Sequence, residues 1–183
     1  EGGEAKHEIV SFENSFHGRT YGAISATAQP KYHEGFAPML PGMVYLPFND
    51  LAALDQAISK EKTAAVLLEP LQGEGGVNTA QLEFLSKIRE LCDERNVALI
   101  FDEIQCGLCR TGKFFAYQHS GIEPDVMTLA KPLGGGLPIG AVMMKPHVAD
   151  QLKPGLHGST FGANPVVCHV ATAVVRKMLS EGI

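Results

Sequence analysis

The chain lacks the long apolar runs and the basic clusters that mark two large classes of protein. No apolar stretch approaches the roughly eighteen residues that a membrane-spanning helix requires, which excludes such a segment from this sequence. Lysine and arginine number 15 against 20 aspartates and glutamates, so the net charge is −5, and the basic residues are scattered singly. This pattern disfavours nucleic acid and anionic lipid as partners.

Cysteine is scarce as well. Four cysteines in 183 residues form no dense disulfide framework, which is typical of an intracellular protein. Cys106 and Cys109 have the spacing of half a zinc site, but no second Cys or His pair stands at metal spacing, so we expect no metal centre. The glycines at 134–136 match neither the Walker pattern nor the dinucleotide fingerprint, which disfavours nucleotide binding.

The ends of the sequence predict an excerpt from a longer protein. The chain begins with Glu1 rather than methionine and has no leader pattern, and its last helical pattern runs to within a few residues of Ile183. A targeting signal could therefore lie outside the sequence, and its absence says little about the cellular address.

Short apolar runs alternate with stretches of helical period, which predicts an α/β domain with a mostly parallel sheet and helices on both faces. Leu82, Leu85, Ile88 and Leu91 define an amphipathic helix that we expect to start at Thr79. Asn49 and Asp50 can cap a second helix, and Asn164 before Pro165 can cap a third. The predicted strands are 8–12, 43–48, 64–69, 97–101, 126–130 and 139–144.

Three of these strands end in a charged residue, and in such sheets ligands bind beyond the carboxyl ends of the strands. Glu69, Asp102 and Lys131 should therefore face one crevice. A lone lysine there suits Schiff-base formation with an aldehyde cofactor, helped by burial that lowers its pKa. A buried carboxylate such as Asp102 can keep the ring nitrogen of pyridoxal phosphate protonated. Taken singly, each would more often be a surface charge or an ordinary strand terminus.

The segment 16–20 follows the first strand and carries an aromatic ring, an imidazole and a guanidinium. The ring of Phe16 could stack on a flat cofactor, and Arg19 could bind a substrate carboxylate with two parallel hydrogen bonds. The alternatives are core packing for Phe16 and a surface ion pair for Arg19.

Several motifs, in this order along the chain, resemble the class III pyridoxal-phosphate aminotransferases, and among them most of all the acetylornithine aminotransferases. The resemblance covers nearly the whole chain. The motifs are FHGRT at 16–20, EPLQGEGG at 69–76, FDEIQCG at 101–107, RTG at 110–112, LAKPLGGGLPIG at 129–140 and HGSTFG at 157–162.

The resemblance implies a role for seven residues in a fold-type-I aminotransferase. Lys131 would bind the cofactor covalently and move the proton, and Asp102 would partner the pyridinium nitrogen. The other implied roles are a donor to the ring hydroxyl for Gln105, an aromatic cover for Phe16, binding of a substrate carboxylate for Arg19, a gate toward an arginine of a C-terminal domain for Glu74, and a phosphate contact to the neighbouring subunit of a homodimer for Thr160.

The same resemblance implies that residues 1–183 are part of the cofactor-binding large domain, without an N-terminal phosphate loop and a C-terminal small domain. The implied reaction moves the amino group of N-acetylornithine to 2-oxoglutarate, in arginine biosynthesis, in the mitochondrial matrix or alternatively the cytoplasm. Ornithine and 4-aminobutyrate aminotransferases are alternatives within the family, and a non-catalytic binding or assembly module is the alternative outside it.

Two residues depart from the family pattern. Cys109 and Ala163 stand where the family usually has glycine. Either side chain could tighten a loop whose backbone favours a residue without one.

Overall fold

The computed structural model describes residues 5–183 and places six strands in one sheet. The order across the sheet is β2-β1-β3-β6-β7-β8; β8 alone is antiparallel to its neighbour β7, and the other pairings are parallel. A separate antiparallel hairpin pairs β4 with β5. The strands are β1 (Glu8–Phe12), β2 (Met43–Leu46), β3 (Thr63–Leu68), β4 (Leu71–Gln72), β5 (Asn78–Thr79), β6 (Ala98–Asp102), β7 (Val126–Leu129) and β8 (Ala141–Met144).

Five α-helices are described, and they cover both faces of the sheet. The alternation of side chains along β1 sends Val10 and Phe12 to one face, where they join the core under α2 and α3. Ser11 points the other way and donates its hydroxyl hydrogen to the Ala26 carbonyl of α1 at 2.8 Å. The helices are α1 (Tyr21–Ala26), α2 (Leu51–Ala57), α3 (Leu82–Arg95), α4 (Pro146–Ala149) and α5 (Pro165–Glu181).

The main core lies between the sheet and helices α2 and α3. Strand register stacks Val66 of β3 beside Leu99 of β6, and Leu68 beside Phe101, so one apolar layer runs across the middle of the sheet. Phe84 of α3 closes on this layer with full burial, and each such side chain stabilises the fold by about 1.5–3 kcal/mol. This packing fixes where the central strands end.

A smaller cluster anchors α5. Its residue Ala171 is buried with Leu129 of β7 and with Leu133 of the short 3₁₀ turn at Lys131–Gly134. Asn164 caps α5 by accepting from the backbone N–H groups of Val166 and Val167, as the sequence predicts. The turn that begins at Lys131 is therefore held from outside by a long helix.

The fold-class prediction is confirmed, and each predicted strand has a counterpart that differs only at its ends. The helix predicted from Thr79 begins instead at Leu82, because Thr79 pairs with Leu71 in the β4–β5 hairpin. Asp50 caps α2 as expected, whereas Asn49 accepts from the backbone N–H of Gln81. Helices α1 and α4 and the hairpin were not predicted. Glu1 lies outside the described residues.

Across residues 5–183, the structure contains no helix with both the length and the apolar character needed to cross a bilayer.

Candidate active site

The carboxyl ends of β3, β6 and β7 meet at one edge of the sheet, because these strands are adjacent and parallel. Glu69 follows β3, Asp102 ends β6, and Lys131 comes just after β7. The three side chains are close enough for their charges to interact: the negative charges of Glu69 and Asp102 raise the pKa of the Lys131 amine, whereas its burial lowers that pKa. The predicted crevice with two carboxylates and one amine is therefore present.

Asp102 is buried and held on both of its carboxylate oxygens. Oδ1 accepts the hydroxyl hydrogen of Thr128 at 3.0 Å and the backbone N–H of Ile104 at 3.2 Å. Thr128 is the register partner of Asp102 on β7, so the sheet itself sets this contact. Oδ2 lies 2.8 Å from Nδ1 of His17. The carboxylate thus has a fixed direction at the end of its strand.

His17 was not assigned a role from the sequence, yet its ring is almost fully enclosed at this site. A carboxylate only accepts hydrogen bonds, so the short contact to Asp102 requires a proton on Nδ1. The other ring nitrogen, Nε2, is buried without a hydrogen-bond partner among the described residues. His17 and Asp102 therefore form a buried polar pair, and Nε2 of His17 could still bond to a ligand.

Lys131 stands at the start of its 3₁₀ turn with φ of +34°, a backbone conformation that costs about 1–2 kcal/mol for a residue with a side chain. The residue is exposed in this chain rather than enclosed. Even so, burial lowers the pKa of its amine, while the charges of Glu74 and Asp102 oppose that shift. The predicted direction of the pKa change is confirmed, and it favours the neutral, nucleophilic amine.

Glu69 is 3% exposed and accepts two backbone hydrogen bonds. Its Oε1 lies 2.9 Å from the N–H nitrogen of Phe16, and its Oε2 lies 3.4 Å from that of Gly73. Burial raises the pKa of the carboxyl to about 7, although the Phe16 N–H and the nearby His17 favour the charged form.

Gln105 has a buried side-chain nitrogen, Nε2, with no hydrogen-bond partner among the described residues. A Cβ atom added at Gly73 would come into close contact with Gln105 Oε1, so the glycine leaves room for the Gln105 side chain in its observed position. A buried hydrogen-bond donor without a partner destabilises the fold unless a bound ligand accepts its hydrogen bond. The residues therefore fit a bound group that offers an acceptor oxygen at this point, as a hydroxylated pyridine ring does.

Phe16 and Arg19 lie together with Tyr32, which the sequence did not single out. The half-buried Phe16 ring meets Tyr32 edge-on with centroids 5.4 Å apart. The exposed Arg19 guanidinium carbon stands 4.1 Å from the Tyr32 centroid and 5.5 Å from that of Phe16. Tyr32 thus orients an arginine whose hydrogen-bonding edge can reach a carboxylate.

The last two predicted site residues lie on exposed segments. Glu74 occupies the loop between β4 and β5, where its charge still reaches Lys131. Thr160 lies on an exposed turn ahead of α5, on a different segment from the strand ends that carry the other site residues. A helix-capping role for its hydroxyl is not observed, because Asn164 supplies the cap of α5.

Both departures from the family pattern fall on left-handed backbone. Cys109 has φ of +67° and Ala163 has φ of +57°. Glycine adopts this region freely, whereas a residue with Cβ is strained there. The two positions therefore have the geometry for which glycine is best suited.

Cys106, the other cysteine of the candidate half-site, is buried, and its thiol lies 3.7 Å from the Asp102 carbonyl oxygen. Burial raises the pKa of this thiol to about 12. A zinc ligand must be a thiolate, so this environment opposes metal binding at neutral pH.

Comparison with known proteins gives consistent matches. The family model described as Aminotransferase class-III matches residues 1–183. The acetylornithine aminotransferase of Methanocaldococcus jannaschii is 55% identical over 168 residues, and that of Aquifex aeolicus is 54% identical over 173 residues. These alignments cover 92% and 94% of this chain but only 42% and 46% of the relatives. The chain therefore spans less than half the length of these two proteins.

A solved structure of the ornithine aminotransferase from Toxoplasma gondii matches with a TM-score of 0.91 and 41% identity. The match covers 97% of this chain and 42% of that one, and that protein holds PLP at partial occupancy in its active site.

Proposed function

This chain belongs to the class-III aminotransferase family, and from that membership we propose that it is the cofactor-binding part of an enzyme that moves an amino group from N-acetylornithine to 2-oxoglutarate. The cofactor is pyridoxal phosphate, and the reaction serves arginine biosynthesis. The observation that carries the proposal is the presence of Lys131, Asp102 and the unpaired Gln105 donor at the ends of two adjacent strands, β6 and β7.

Pyridoxal phosphate, when bound, would withdraw electrons from the substrate carbon that bears the transferred amine, so that the proton on that carbon can leave. Four residues of this chain would hold it. Lys131 would form the covalent attachment, and Asp102, which is buried and held on both carboxylate oxygens, would keep a proton on the ring nitrogen. Gln105 would donate to the ring hydroxyl from its otherwise unpaired Nε2, and Phe16 would cover the ring.

Lys131 also carries the proton transfer. Once the substrate amine had replaced it on the cofactor, Lys131 Nζ would be free to accept the proton from the carbon that bears that amine, which in N-acetylornithine is the δ-carbon because the α-nitrogen is acylated. The lowered pKa of this amine supports that role, because a base must be unprotonated at the start of the step.

Arg19 binds a substrate carboxylate, and Glu74 faces the amine side of the crevice as a gate toward the rest of the protein. Both are exposed in this chain, which leaves them accessible to substrate and to further protein segments. Ornithine is a second candidate donor, favoured by the 41% identity to an ornithine aminotransferase. 4-Aminobutyrate is a weaker alternative, and a non-catalytic module has no chemical need for Lys131 beside Asp102.

We further propose that residues 1–183 belong to a large domain completed by an upstream phosphate loop and a C-terminal domain, and that the enzyme is a homodimer. The short share of each relative that the chain covers supports the first proposal. The mitochondrial or cytoplasmic address stays a prediction.

Replacement of the lysine in the complete protein tests the proposed reaction. Lys131→Ala should reduce turnover of N-acetylornithine with 2-oxoglutarate below about a hundredth, because one positioned general base contributes roughly 10²–10⁴-fold. Lys153→Ala, at an exposed surface lysine, is the control and should keep full turnover. Substantial activity in Lys131→Ala would refute the catalytic role of Lys131. If the wild-type enzyme prefers ornithine to N-acetylornithine, ornithine is the amino donor.

A further inference from the structure

We propose that Glu69 is a positioning residue that fastens two segments of the cofactor crevice to the end of the central strand β3. This inference deepens the proposed function and rests on it, because it gives those segments their task. Neither the covalent attachment nor the substrate contacts explain why a carboxyl group is buried at this place.

The topology puts Glu69 between the two strands whose following segments carry the assigned cofactor contacts. Strand β3 lies between β1 and β6 in the sheet, so the chain beyond β1 and the chain beyond β6 flank its end. The first flank carries Phe16 and His17, and the second carries Asp102 and Gln105. Glu69 bonds directly to the first flank through Phe16, and it reaches the second indirectly, through Gly73 of the β4–β5 loop, against which Gln105 lies.

The Glu69 carboxylate accepts two backbone hydrogen bonds, one with each oxygen. One oxygen accepts from the backbone N–H of Phe16, the residue whose ring should cover the cofactor. The other accepts from the N–H of Gly73, the residue against which Gln105 packs. A single buried side chain thus sets the backbone position under the aromatic cover and beside the unpaired Gln105 donor.

The charge of Glu69 is sensitive to its surroundings near neutral pH. Burial raises the pKa of the carboxyl to about 7, His17 lowers it, and Asp102 raises it. Lys131 and Cys106 also lie within electrostatic reach. When the carboxyl is protonated, one oxygen carries hydrogen and can no longer accept as well, so the longer bond to Gly73 weakens first below that pH.

Glu103 provides a matched control. It is also a buried glutamate, 1% exposed, and it also accepts two backbone hydrogen bonds, from Ala116 and Tyr117 at 2.7 and 2.8 Å. Burial raises its pKa as well. Its bonds hold the 3₁₀ turn at Ala116–His119, outside the assigned cofactor contacts.

The test compares Glu69→Gln with Glu103→Gln in the complete protein by amide hydrogen exchange without cofactor. Gln can accept one of the two bonds but presents an NH₂ group to the other amide, so exchange at Phe16 or Gly73 should quicken about tenfold in Glu69→Gln only. The dissociation constant for pyridoxal phosphate should rise about tenfold in the same variant. Unchanged exchange at both amides in folded Glu69→Gln, or an equal change in Glu103→Gln, would overturn the proposal.

Two further measurements distinguish a failure of the proposed function from a failure of the proposed role of Glu69. If the wild-type protein does not bind pyridoxal phosphate, the proposed function fails while the amide exchange still reports on Glu69. If Glu69→Gln does not fold, carbon-13 NMR of the wild-type Glu69 carboxyl replaces it: the Phe16 and Gly73 amide shifts should follow the Glu69 titration near pH 7. Amide shifts that stay constant through that titration would refute the role.

Discussion

At the scale of single residues, the site depends on how Asp102 is held. Thr128 and a backbone N–H fix one carboxylate oxygen and His17 fixes the other, so the group cannot rotate away from the crevice. A fixed, poorly hydrated carboxylate interacts more strongly with a ring N–H than a solvated one does. In the proposed assignment, the electron-withdrawing power of a bound ring would therefore depend on this residue.

Replacing Asp102 by Asn should slow the chemistry far more than it loosens the fold. The amide keeps an acceptor for Thr128 but cannot hold a proton on the ring nitrogen. Exchange of the proton on the carbon that bears the transferred amine, at saturating cofactor, should therefore fall by at least tenfold. Asp125→Asn is the control: it removes a carboxylate paired with Arg89 and should lower stability without affecting the exchange rate. An unchanged exchange rate in Asp102→Asn would mean that Asp102 serves packing.

The sequence predicts the strand-end residues Asp102 and Lys131 because apolar runs show where strands stop. It does not predict the partners of Asp102. His17 is far from it along the chain, and Thr128 reads as an ordinary strand residue until the register between β6 and β7 is known. Contacts of this kind depend on strand order, which local pattern does not specify.

At the scale of elements, the turns around the site carry unusual backbone. Lys131, Cys109 and Ala163 all have positive φ, although none is glycine. At Lys131 the backbone strain occurs at the residue that we assign to the chemical step, as is common at active sites. The other two have no assigned chemistry that would require a side chain at those positions.

Replacing Ala163 by Gly should therefore stabilise the protein. Glycine relieves the strain of the left-handed conformation, at some cost in chain entropy, and a net gain of about 0.5–1 kcal/mol in unfolding free energy is expected. Ala173→Gly, at an exposed position inside α5, is the matched control and should destabilise by about 1 kcal/mol. Denaturant unfolding measures both, and a loss of stability in Ala163→Gly would show that its methyl group has a packing role.

Element prediction succeeded for long patterns and failed for short ones. Helix α3 shows several turns of apolar spacing, and the strands are continuous apolar runs, so both are visible in the sequence. The hairpin β4–β5 has only two residues in each strand, too few to show alternation. Thr79 was assigned to a helix for that reason.

At the scale of the whole molecule, the segment around Thr160 presents apolar side chains to solvent. Phe161 is 81% exposed, Val166 66% and Leu156 65%. Exposed apolar side chains of this size, grouped along one segment, are typical of surfaces covered by further protein. This supports the proposed position of Thr160 at a subunit boundary.

Removing the Thr160 hydroxyl tests that position. If it donates to the phosphate of a partner's cofactor, Thr160→Val should weaken cofactor binding by about 1.5–3 kcal/mol, the value of a hydrogen bond to a charged group. Ser159→Ala, at the neighbouring hydroxyl, is the control and should bind cofactor normally. The dissociation constant is measured by absorbance titration in the complete protein.

A mixed dimer distinguishes the two subunits. Pairing a Thr160→Val subunit with a Lys131→Ala subunit leaves one lysine-bearing site, and donation across the boundary supplies that site with an intact threonine. Wild-type affinity at that site is expected. Binding as weak as in the Thr160→Val homodimer would place the hydroxyl within its own subunit.

The central claim is that Lys131 carries the cofactor, and borohydride trapping tests it most directly. The complete protein is incubated with pyridoxal phosphate, reduced with borohydride, digested and examined by mass spectrometry. We expect a stable pyridoxyl label on the peptide containing Lys131, with loss of the visible absorbance band, and no label on that peptide in Lys131→Ala. A label on a different lysine, or bound cofactor that borohydride does not attach to Lys131, would contradict it.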